Sequence, residues 1–437
     1  MNSEKQSTNL QMTLREVNRV GEVKKNIPKL RFRGYEDAWE QRRLEEIFLK
    51  IRNAFVGTST PYYVEKNQGG HFYIESNNVK HGKINHDTEV FINEEFYQNQ
   101  KDKWLKTGDI VMVQSGHVGH SAVIPEYLNN SAAHALIMFQ EYKIETNPYF
   151  INFQFQTESV RNKIDSITTG NTIKHILASD MKLFSISNTQ KKEADKLGDF
   201  FISLDNLITL HQRKYDALKS MKKTLLSKMF PKNGEDVPEI RFKEFTDAWE
   251  QRKFGNIIQI ERGGSPRPIE EYITTSSDGL NWVKIGDAPN QGNYITSTSE
   301  KIRPEGLSKT REVYPGDLIL SNSMSFGKPY IMAIKGCIHD GWLLLRDKNN
   351  YFDLIFLCNL LGTPQMLQQY KGLAAGSTVN NLNKELVSST QVCIPNIEEQ
   401  KTIGIFFETI YNLITLHQRK LDGLKNMKKT LLQQMFV

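Results

Sequence analysis

The clearest hydrophobic pattern in the chain is an apolar stripe that recurs at helical spacing in two places. In each place apolar residues and one histidine return every seven residues, with further apolar positions on both sides. This spacing is typical of amphipathic helices. The first stripe contains Leu204, Leu207, Ile208, His211, Tyr215, Leu218, Met221, Leu225 and Met229, and the second contains Ile410, Leu413, Ile414, His417, Leu421, Leu424, Met427, Leu431 and Met435.

These stripes predict two long helices that pack on each other. The first is predicted over residues 191–230, a length of about 60 Å at about 1.5 Å per residue. Pro231 ends it, and the turn of residues 232–234 follows. Because one stripe cannot bury itself, we expect an antiparallel pair. His211 and His417 lie on the stripes, where a packed core histidine is a better interpretation than a ligand.

The chain contains an internal sequence repeat with two copies. Residues 28–43 and 238–253 share nine of sixteen positions at an offset of 210, and both contain the sequence DAWEQR, here named the box. Residues 198–230 and 404–436 share 23 of 33 positions at an offset of 206. The blocks between them, about 45–190 and 254–396, have little in common. Similar frames around different inserts indicate one scaffold with two different recognition domains and pseudo-twofold symmetry; a duplication without functional meaning is the alternative.

The sequence predicts mixed α/β structure for the two variable blocks, about 45–190 and 254–396. In both, a Gly-Asp pair (Gly108-Asp109 and Gly316-Asp317) precedes a short β-rich run, and a polar loop containing Gly or Ser follows it. The second block also opens with a glycine-rich loop that carries Arg262 and Arg267. Such loops suit contact with base edges, because their side chains supply donors and acceptors and glycine permits close approach. Plain surface turns are the alternative.

The two blocks also share a short matched segment, residues 170–172 in the first and 376–378 in the second. From these loops and matched segments we predict the residues that contact DNA. They are Gln114, Ser115, His117, Asn171, Lys174, Arg262, Ser265, Arg267, Lys284, Asn322, Ser323 and Ser377.

The faces of the helices opposite the stripes are basic. Residues 211–230 contain six lysines and arginines against one acid, Asp216, and the second copy has five against Asp422. A solvated helix face, a phosphate contact and a partner-binding surface are the three interpretations. The residues predicted to bind a partner are Arg213, Lys222, Lys223, Arg419, Lys428 and Lys429.

Composition narrows the class of protein. The 437 residues predict two to four domains, and 38% hydrophobic with 24% charged residues permits a sizeable core. No apolar run reaches the roughly 18 residues of a membrane helix, and no signal peptide precedes the first box, so a cytoplasmic protein is expected. The net charge of +6 permits nucleic-acid binding without establishing it. Cys337, Cys358 and Cys393 lack the spacing of a zinc site and are predicted to be buried thiols.

Signatures of catalysis and of metal binding are missing from the sequence. It has neither a P-loop nor an HExxH motif. Asn147, Pro148 and Tyr149 resemble the Asn-Pro-Pro-Tyr motif of amino-methyltransferases but lack its second proline. Glu399 and Lys401 imitate a nuclease Glu-x-Lys, yet they fall at the start of a predicted helix, where acids are favourable. A self-contained restriction enzyme or methyltransferase and a structural coiled-coil adaptor stay as alternatives to a DNA-recognition subunit.

The boxes, the helices and the passage over residues 376–404 together resemble type I restriction-modification specificity subunits. The resemblance covers the chain from Pro28 to its end. The first copy departs from the pattern over residues 184–194, where ISNTQKKEA replaces IPNIEEQ. By this resemblance the fold is α+β: two mixed α/β target recognition domains joined by two long antiparallel helices in a pseudo-twofold repeat. Its segments are residues 1–27, an N-terminal extension; 28–190, domain 1; 191–230, spacer helix 1; 231–396, linker, box and domain 2; and 397–437, spacer helix 2.

The resemblance also implies that this chain recognises DNA and that separate subunits catalyse its modification and cleavage. Each variable block would read one half of a split DNA sequence, and the long helices would set the unread spacer. The chain would have no catalysis and no cofactor of its own. Two modification subunits would methylate adenine N6 with S-adenosylmethionine, and two motor-nuclease subunits would use ATP and Mg²⁺.

Overall fold

The chain forms two compact units that share the two long helices. This computed structural model describes the backbone of residues 14–16 and residues 26–170, 174–289, 292–322, 327–374 and 382–437. Unit 1 combines Met1–Leu210 with Leu421–Val437, and unit 2 is His211–Lys420. Each long helix therefore contributes to both units. Among the described residues, none of the helices combines the length and the apolarity needed to cross a bilayer.

Unit 1 is built on two four-stranded sheets with short helices around them. One sheet has the strand order β11-β10-β13-β4 with antiparallel pairing, and the other has the order β12-β6-β9-β5. Its elements are β1 (Leu14–Glu16), β2 (Leu30–Phe32), β3 (Glu40–Arg43), α1 (Leu44–Ile47), β4 (Phe48–Asn53), β5 (Tyr63–Val64), β6 (His71–Ile74), β7 (Val79–Lys80), β8 (Lys83–Ile84), β9 (Phe91–Ile92), α2 (Glu94–Gln98), β10 (Ile110–Val113), β11 (Ser121–Val123), β12 (Ala132–Ala133), β13 (Leu136–Tyr142), α3 (Pro148–Gln154), α4 (Glu158–Ile167), α5 (Ala178–Leu183), β14 (Ser185–Asn188) and α6 (Lys191–Lys228).

Unit 2 is built on two five-stranded sheets. Their strand orders are β16-β25-β22-β23-β19 and β17-β20-β18-β24-β21. Its elements are β15 (Glu250–Lys253), β16 (Gln259–Arg262), β17 (Ile273–Thr274), β18 (Leu280–Val283), β19 (Tyr294–Ile295), β20 (Glu300–Ile302), β21 (Arg311–Val313), β22 (Leu318–Ser321), β23 (Pro329–Met332), β24 (Gly336–Ile338), β25 (Trp342–Arg346), α7 (Leu354–Leu361), α8 (Pro364–Ala374), α9 (Lys384–Ser389), β26 (Gln391–Ile394) and α10 (Ile397–Met435).

The predicted Gly-Asp turns lead into buried strands in both units. Gly108 and Gly316 have φ values of +89° and +94°, in the left-handed region that glycine enters without strain. The side chain of Asp109 accepts from the backbone N–H of Lys106 at 2.8 Å, and that of Asp317 accepts from Tyr314 at 2.9 Å. The strands β10 and β22 that follow are buried along their whole length. The two matched turn-and-strand predictions are confirmed.

The long helices begin at equivalent positions of the two copies, Lys191 and Ile397, despite the departure from the family pattern in the first. Within unit 2, His211 meets His417, and Tyr215, further along α6, packs with Ile410 and Ile414, which come earlier in α10. The two helices therefore run in opposite directions. Unit 1 shows the same antiparallel sense, because Phe201 meets Phe436 and Asp205 meets Lys428. In each unit the helical segments are antiparallel, as predicted.

The apolar stripe is broader than the seam that the helices bury. Met221, Leu413 and Met427 were predicted to lie within the helix pair, yet their side chains are exposed, as are those of Leu210 and Leu416. Two helices in contact bury a narrow row of each surface, and positions beside that row face outward. The packing predicted for the stripes therefore does not extend to Met221, Leu413 and Met427, although other flanking positions such as Tyr215 and Leu421 are buried.

One buried cluster in each unit ties the box to the start of a long helix. In unit 1 the Arg31 guanidinium donates to both carboxylate oxygens of Glu193, at 2.6 and 2.8 Å, and the Trp39 indole N–H donates at 3.0 Å. Both members of the ion pair are buried. The segment 184–194 that departs from the family pattern thus keeps the carboxylate that the helix entry requires.

Unit 2 repeats the cluster residue for residue. Arg241 donates to both oxygens of Glu399 at 2.8 Å, and the Trp249 indole donates to Glu399 at 3.3 Å. The hydrogen bonds to Glu399 raise the pKa of Arg241. Both carboxylate oxygens of Glu399 are used inside unit 2, which is the structural role predicted for it. Each box also pairs as an antiparallel strand with the strand before its helix, β3 with β14 and β15 with β26.

The end of a long helix covers each box tryptophan. Phe230, just beyond α6, meets Trp249 edge-on with ring centroids 6.0 Å apart, within unit 2. Phe436, just beyond α10, meets Trp39 at the same separation, within unit 1. Such pairs contribute about 0.5–1.5 kcal/mol beyond the area they bury. Each box therefore contacts the beginning of one long helix and the end of the other.

The two stripe histidines form a pair in unit 2. The Nδ1 atoms of His211 and His417 lie 2.9 Å apart, so that one ring donates a hydrogen bond to the other. Partial burial lowers the pKa of both rings, and the nearby charges of Lys214 and Lys420 lower it further. They are packed interface histidines, as predicted.

The three cysteines are free thiols. Cys337 and Cys358 are buried, and burial raises their pKa values to about 11 and about 12. Cys393 is only half-buried, so the prediction of burial is wrong there: its strand β26 forms a two-stranded ladder with β15, and the Cys393 side chain lies against the Glu235 carbonyl.

Replacing Glu193 with alanine should strongly destabilise unit 1. The change leaves the Arg31 guanidinium buried without its partner, which costs about 3–5 kcal/mol. Urea unfolding followed by amide hydrogen exchange reads this loss in unit 1 separately from unit 2. The matched control is Lys191→Ala, which removes an exposed ion pair with Asp195 and should leave the free energy of unfolding nearly unchanged. Equal effects of the two variants would contradict the structural role of the cluster.

The histidine pair should make stability depend on pH. Folding lowers the pKa of both rings, so the unfolded chain binds more protons; the contribution is present above the ordinary histidine pKa of about 6.5 and is lost as pH falls below it. As pH is lowered from about 7.5 to about 5.5, we expect the unfolding free energy of the wild type to fall by about 0.5–1.5 kcal/mol more than that of a His211→Leu, His417→Leu variant. This difference is the net contribution of one hydrogen bond. Parallel curves for the two proteins would rule out this contribution.

Candidate nucleic-acid interface

In unit 1 the structure brings the predicted contact residues of two segments together. The loop after β10 contains Gln114, Ser115 and His117, and it lies against residues 174–176. The Gly116 N–H donates to the Lys174 carbonyl at 3.3 Å, and the Ile176 N–H to the Gln114 carbonyl at 3.0 Å. Ser115 pairs with His175 in an isolated antiparallel bridge. The predicted residue Asn171 lies outside the described residues.

A group of basic side chains surrounds this loop. The rings of His117 and His120 stack with centroids 5.7 Å apart, and the His81 ring lies 6.5 Å from that of His120. His81 stands at a tight turn, with a φ of +52°. Burial lowers the pKa of His120, and the charges of Arg161, His117 and His81 lower it further. These positive neighbours make the loop a place where an anion such as a DNA phosphate is favourable.

The exposed cations of this loop are not held by strong pairs. Lys174 is exposed, and the Asp165 carboxylate lies 3.7 Å from its ammonium. His117 is exposed as well. Exposed pairs of this kind contribute at most about 1 kcal/mol and exchange readily with other anions.

In unit 2 four predicted contact residues converge on one acid, Asp340. Arg262 Nε donates to the Asp340 carbonyl at 3.3 Å, and the Asn322 amide donates to the same carbonyl at 2.8 Å. The Ser265 hydroxyl donates to the Asp340 carboxylate at 3.1 Å, and Arg267 lies 3.9 Å from it. The loops that leave β16 and β22 therefore meet at the turn between β24 and β25.

The placement of Asn322 corrects one prediction. Asn322 is buried, and both its side chain and its N–H are used inside unit 2, the latter by a 2.9 Å bond to the Gly341 carbonyl. It supports the loop from within and has no surface to present to DNA. The predicted residues Ser323 and Ser377 lie outside the described residues.

Lys284 lies near the same group of residues. With Ser265, Arg267 and His339 it lines an open cavity of about 670 Å³, and its ammonium pairs with Glu300 at 2.5 Å. The lining also contains Glu270, so hydrogen-bond donors stand beside carboxylate acceptors there. These are the groups that contact phosphates and base edges.

Sequence reasoning missed His339 and Asp340 in unit 2, and His81, His120 and Arg161 in unit 1. One signal for the first pair was available: His339, Asp340 and Gly341 interrupt two apolar runs, as a tight polar turn between strands does. The contacts themselves could not be read from the sequence, because Ser265 and Asp340 are 75 residues apart.

The predicted basic helix faces divide into exposed and inward-turned residues. The side chains of Arg213, Lys223, Arg419 and Lys429 are exposed. Lys428 instead pairs with the buried Asp205 at 2.7 Å and donates to Gln156 at 3.1 Å, within unit 1.

The equivalent residue of the first copy, Lys222, is also turned inward. It lies over the Tyr411 ring in unit 2, and burial lowers its pKa. Lys222 and Lys428 therefore do not belong to an exposed partner-binding face, because each is held against the core of its own unit.

Known proteins resemble this chain along nearly its whole length. The model for the type I restriction-modification DNA specificity domain matches residues 36–220 and again residues 246–426. The putative type I restriction enzyme MjaX specificity subunit of Methanocaldococcus jannaschii is 23% identical over 429 residues, which cover 93% of this chain and 95% of that protein. The MjaVIII specificity subunit of the same organism is 21% identical over 415 residues, covering 90% and 91%.

Solved structures share the fold. The S subunit of the type I restriction-modification system from M. genitalium aligns with a TM-score of 0.57 at 15% identity, covering 94% of this chain and 99% of that one. A chain from a structural study of complex assembly and conformational transition in the type I R-M system aligns with a TM-score of 0.52 at 16% identity, covering 91% and 97%. The two-domain α+β repeat is thereby confirmed.

Proposed function

Because the chain belongs to the family of type I restriction-modification DNA specificity subunits, we propose that its two units read the two halves of a split, asymmetric DNA sequence. The observation that carries the proposal is the matched position of two different loops. Each follows a Gly-Asp turn and a fully buried strand, β10 in unit 1 and β22 in unit 2. A common scaffold with different side chains at the same place is what two distinct half-sites require.

The surfaces beside these strands carry different chemistry, which supports different half-sites. In unit 1 the loop after β10 places Gln114, Ser115 and His117 beside His120. In unit 2 the loop after β16, with Ser265 and Arg267, meets the end of β22 at Asp340. Arginine donates two hydrogen bonds to guanine in the major groove, and glutamine pairs with adenine in the same way. Lys174 and Lys284 supply charge for phosphates, which position the protein without reading sequence.

We further propose that the chain recognises DNA without catalysing its modification, and that it acts in the cytoplasm. On this proposal two modification subunits methylate adenine N6 with S-adenosylmethionine, and two restriction subunits use ATP and Mg²⁺. The matched exposed apolar side chains of the long helices support two equivalent docking places: Leu210 and Leu416 occupy corresponding positions, as do Met221 and Met427. Large exposed apolar side chains at helical spacing are typical of surfaces that bind a partner helix.

Exchange of one variable block tests the assignment of half-sites. We expect that replacing residues 45–190 by the block of another family member changes one half of the methylated sequence and leaves the other half intact, because unit 2 keeps its own loops. Single-molecule methylation mapping in a methylation-free host that also expresses the modification subunit reads both halves. Exchange of residues 254–396 is the matched control and should change only the other half.

Three further results would count against the proposal. A single block exchange that alters both halves would show that the blocks do not read separately. Adenine methylation by this chain without a modification subunit would show that it is itself a methyltransferase. A chain that leaves the methylated sequence unchanged after either exchange would be an adaptor.

Lengthening both long helices tests whether they set the spacer between half-sites. We expect four residues inserted after Leu210 and four after Lys420 to lengthen each helix by about 6 Å. Both positions are boundaries between the units, so contacts inside each unit stay. At about 3.4 Å per base pair the spacer should grow by about one to two base pairs. The control places four residues after Gly234, outside both helices, and an unchanged spacer in the double insertion would disprove the role.

A further inference from the structure

Asp340 connects three separate segments of the unit 2 surface. It lies in the turn between β24 and β25, and it contacts the loop after β16 and the loop after β22. Its neighbour His339 also places Nδ1 2.9 Å from the Asp340 carboxylate. Through these contacts Asp340 connects Ser265 and Arg267, which follow β16, with the end of β22.

The contacts of Asp340 fall into two classes that a substitution can separate. Arg262 and Asn322 donate to its backbone carbonyl, and so do not depend on the side chain. The Ser265 hydroxyl and the Arg267 guanidinium face its carboxylate. Two backbone groups of the turn hold neighbouring side chains: the Asp340 N–H donates to Ser265 at 3.5 Å, and the Gly341 N–H donates to His339 Nδ1 at 2.9 Å. A change of the Asp340 side chain therefore leaves the backbone of the turn held in place, while it removes the negative charge beside Arg267 and alters the bond to Ser265.

A carboxylate is an unexpected group on a surface that meets DNA. It repels phosphates, so it lowers the affinity for any DNA backbone, and it gives nothing to binding that ignores sequence. Arg267, by contrast, is 82% exposed and carries the charge that attracts phosphates. A repulsive group beside an attractive one raises discrimination between partners, because incorrect arrangements are disfavoured more than the correct one.

We propose that Asp340 is a specificity-determining residue of the second recognition domain: its carboxylate positions Ser265 toward the bases, and it competes with phosphates for the exposed Arg267 guanidinium and so reduces binding to other DNA. The proposal rests on the proposed function, in which unit 2 reads one half-site. Asp340 acts through its neighbours and is a positioning residue.

The test compares Asp340→Asn with the wild type in the full chain, bound to its modification subunits. Affinity is measured for the cognate DNA, for DNA altered in the second half-site and for DNA altered in the first. We expect discrimination at the second half-site to fall about fivefold or more, the effect of one lost base contact, with discrimination at the first unchanged. Because Arg267 becomes free to contact a phosphate, the slope of log affinity against log salt should steepen by about 1.

Two more variants make the result specific. Asp340→Glu restores the carboxylate and should recover most of the discrimination and the original salt slope. Asp165→Asn is the matched control in unit 1, since the Asp165 carboxylate lies 3.7 Å from the exposed Lys174 ammonium. It should leave discrimination at both half-sites within about twofold of the wild type, as expected for a weak exposed pair.

The proposal is overturned if Asp340→Asn keeps wild-type discrimination and salt slope, or if it weakens recognition of both half-sites equally, which would indicate general loss of structure. Failure of the proposed function looks different: exchange of residues 254–396 would leave the second half-site unchanged even in the wild-type background.

Discussion

The buried contact between an arginine, a glutamate and a tryptophan in each unit is the constraint on which the architecture depends. Arg31, Glu193 and Trp39 form it in unit 1, with Phe436 against the tryptophan. A buried ion pair is stable only when both partners stay and their remaining hydrogen-bonding groups are satisfied. The contact therefore fixes the direction in which a long helix leaves its domain, and it explains why the boxes have stayed similar while the blocks between them have diverged.

The constraint also separates what must be conserved from what is free to vary. Residues of the cluster and of the helix seam are committed to packing, whereas the loop after β10 in unit 1 and the loop after β16 in unit 2 carry the exposed side chains of His117 and Arg267. Because the core holds the strands that precede them, these loops can carry different side chains without a change of fold. This is a physical basis for one scaffold with two specificities.

Much of the fold was predictable because it repeats locally. The offset of 206 residues placed the helix starts, and the Gly-Asp pairs placed two strands, since a turn with positive φ and the strand after it depend on adjacent residues. The inward turn of Lys428 was not predictable. It depends on Asp205, whereas the equivalent Lys222 meets Tyr411 instead. Contacts of this kind arise only when distant segments meet.

The same reason limited the prediction of the site. Arg262, Ser265 and Arg267 were found because glycine-rich loops with cations are visible in the sequence, but their common partner Asp340 lies far along the chain. Asn322 has the right chemistry for a base contact, yet burial removes it from the surface. Chemistry alone therefore selects candidates, and only the fold decides which of them face outward.

The central claim is that each unit contacts its own half of the target. The most direct measurement is photo-crosslinking from an unnatural amino acid placed at His117 in one protein and at Arg267 in another, with the crosslinked bases mapped on the cognate DNA. The account predicts crosslinks confined to one half-site from His117 and to the other from Arg267, separated by about one turn of the double helix, roughly 34 Å. Crosslinks from both positions to the same half-site would contradict it.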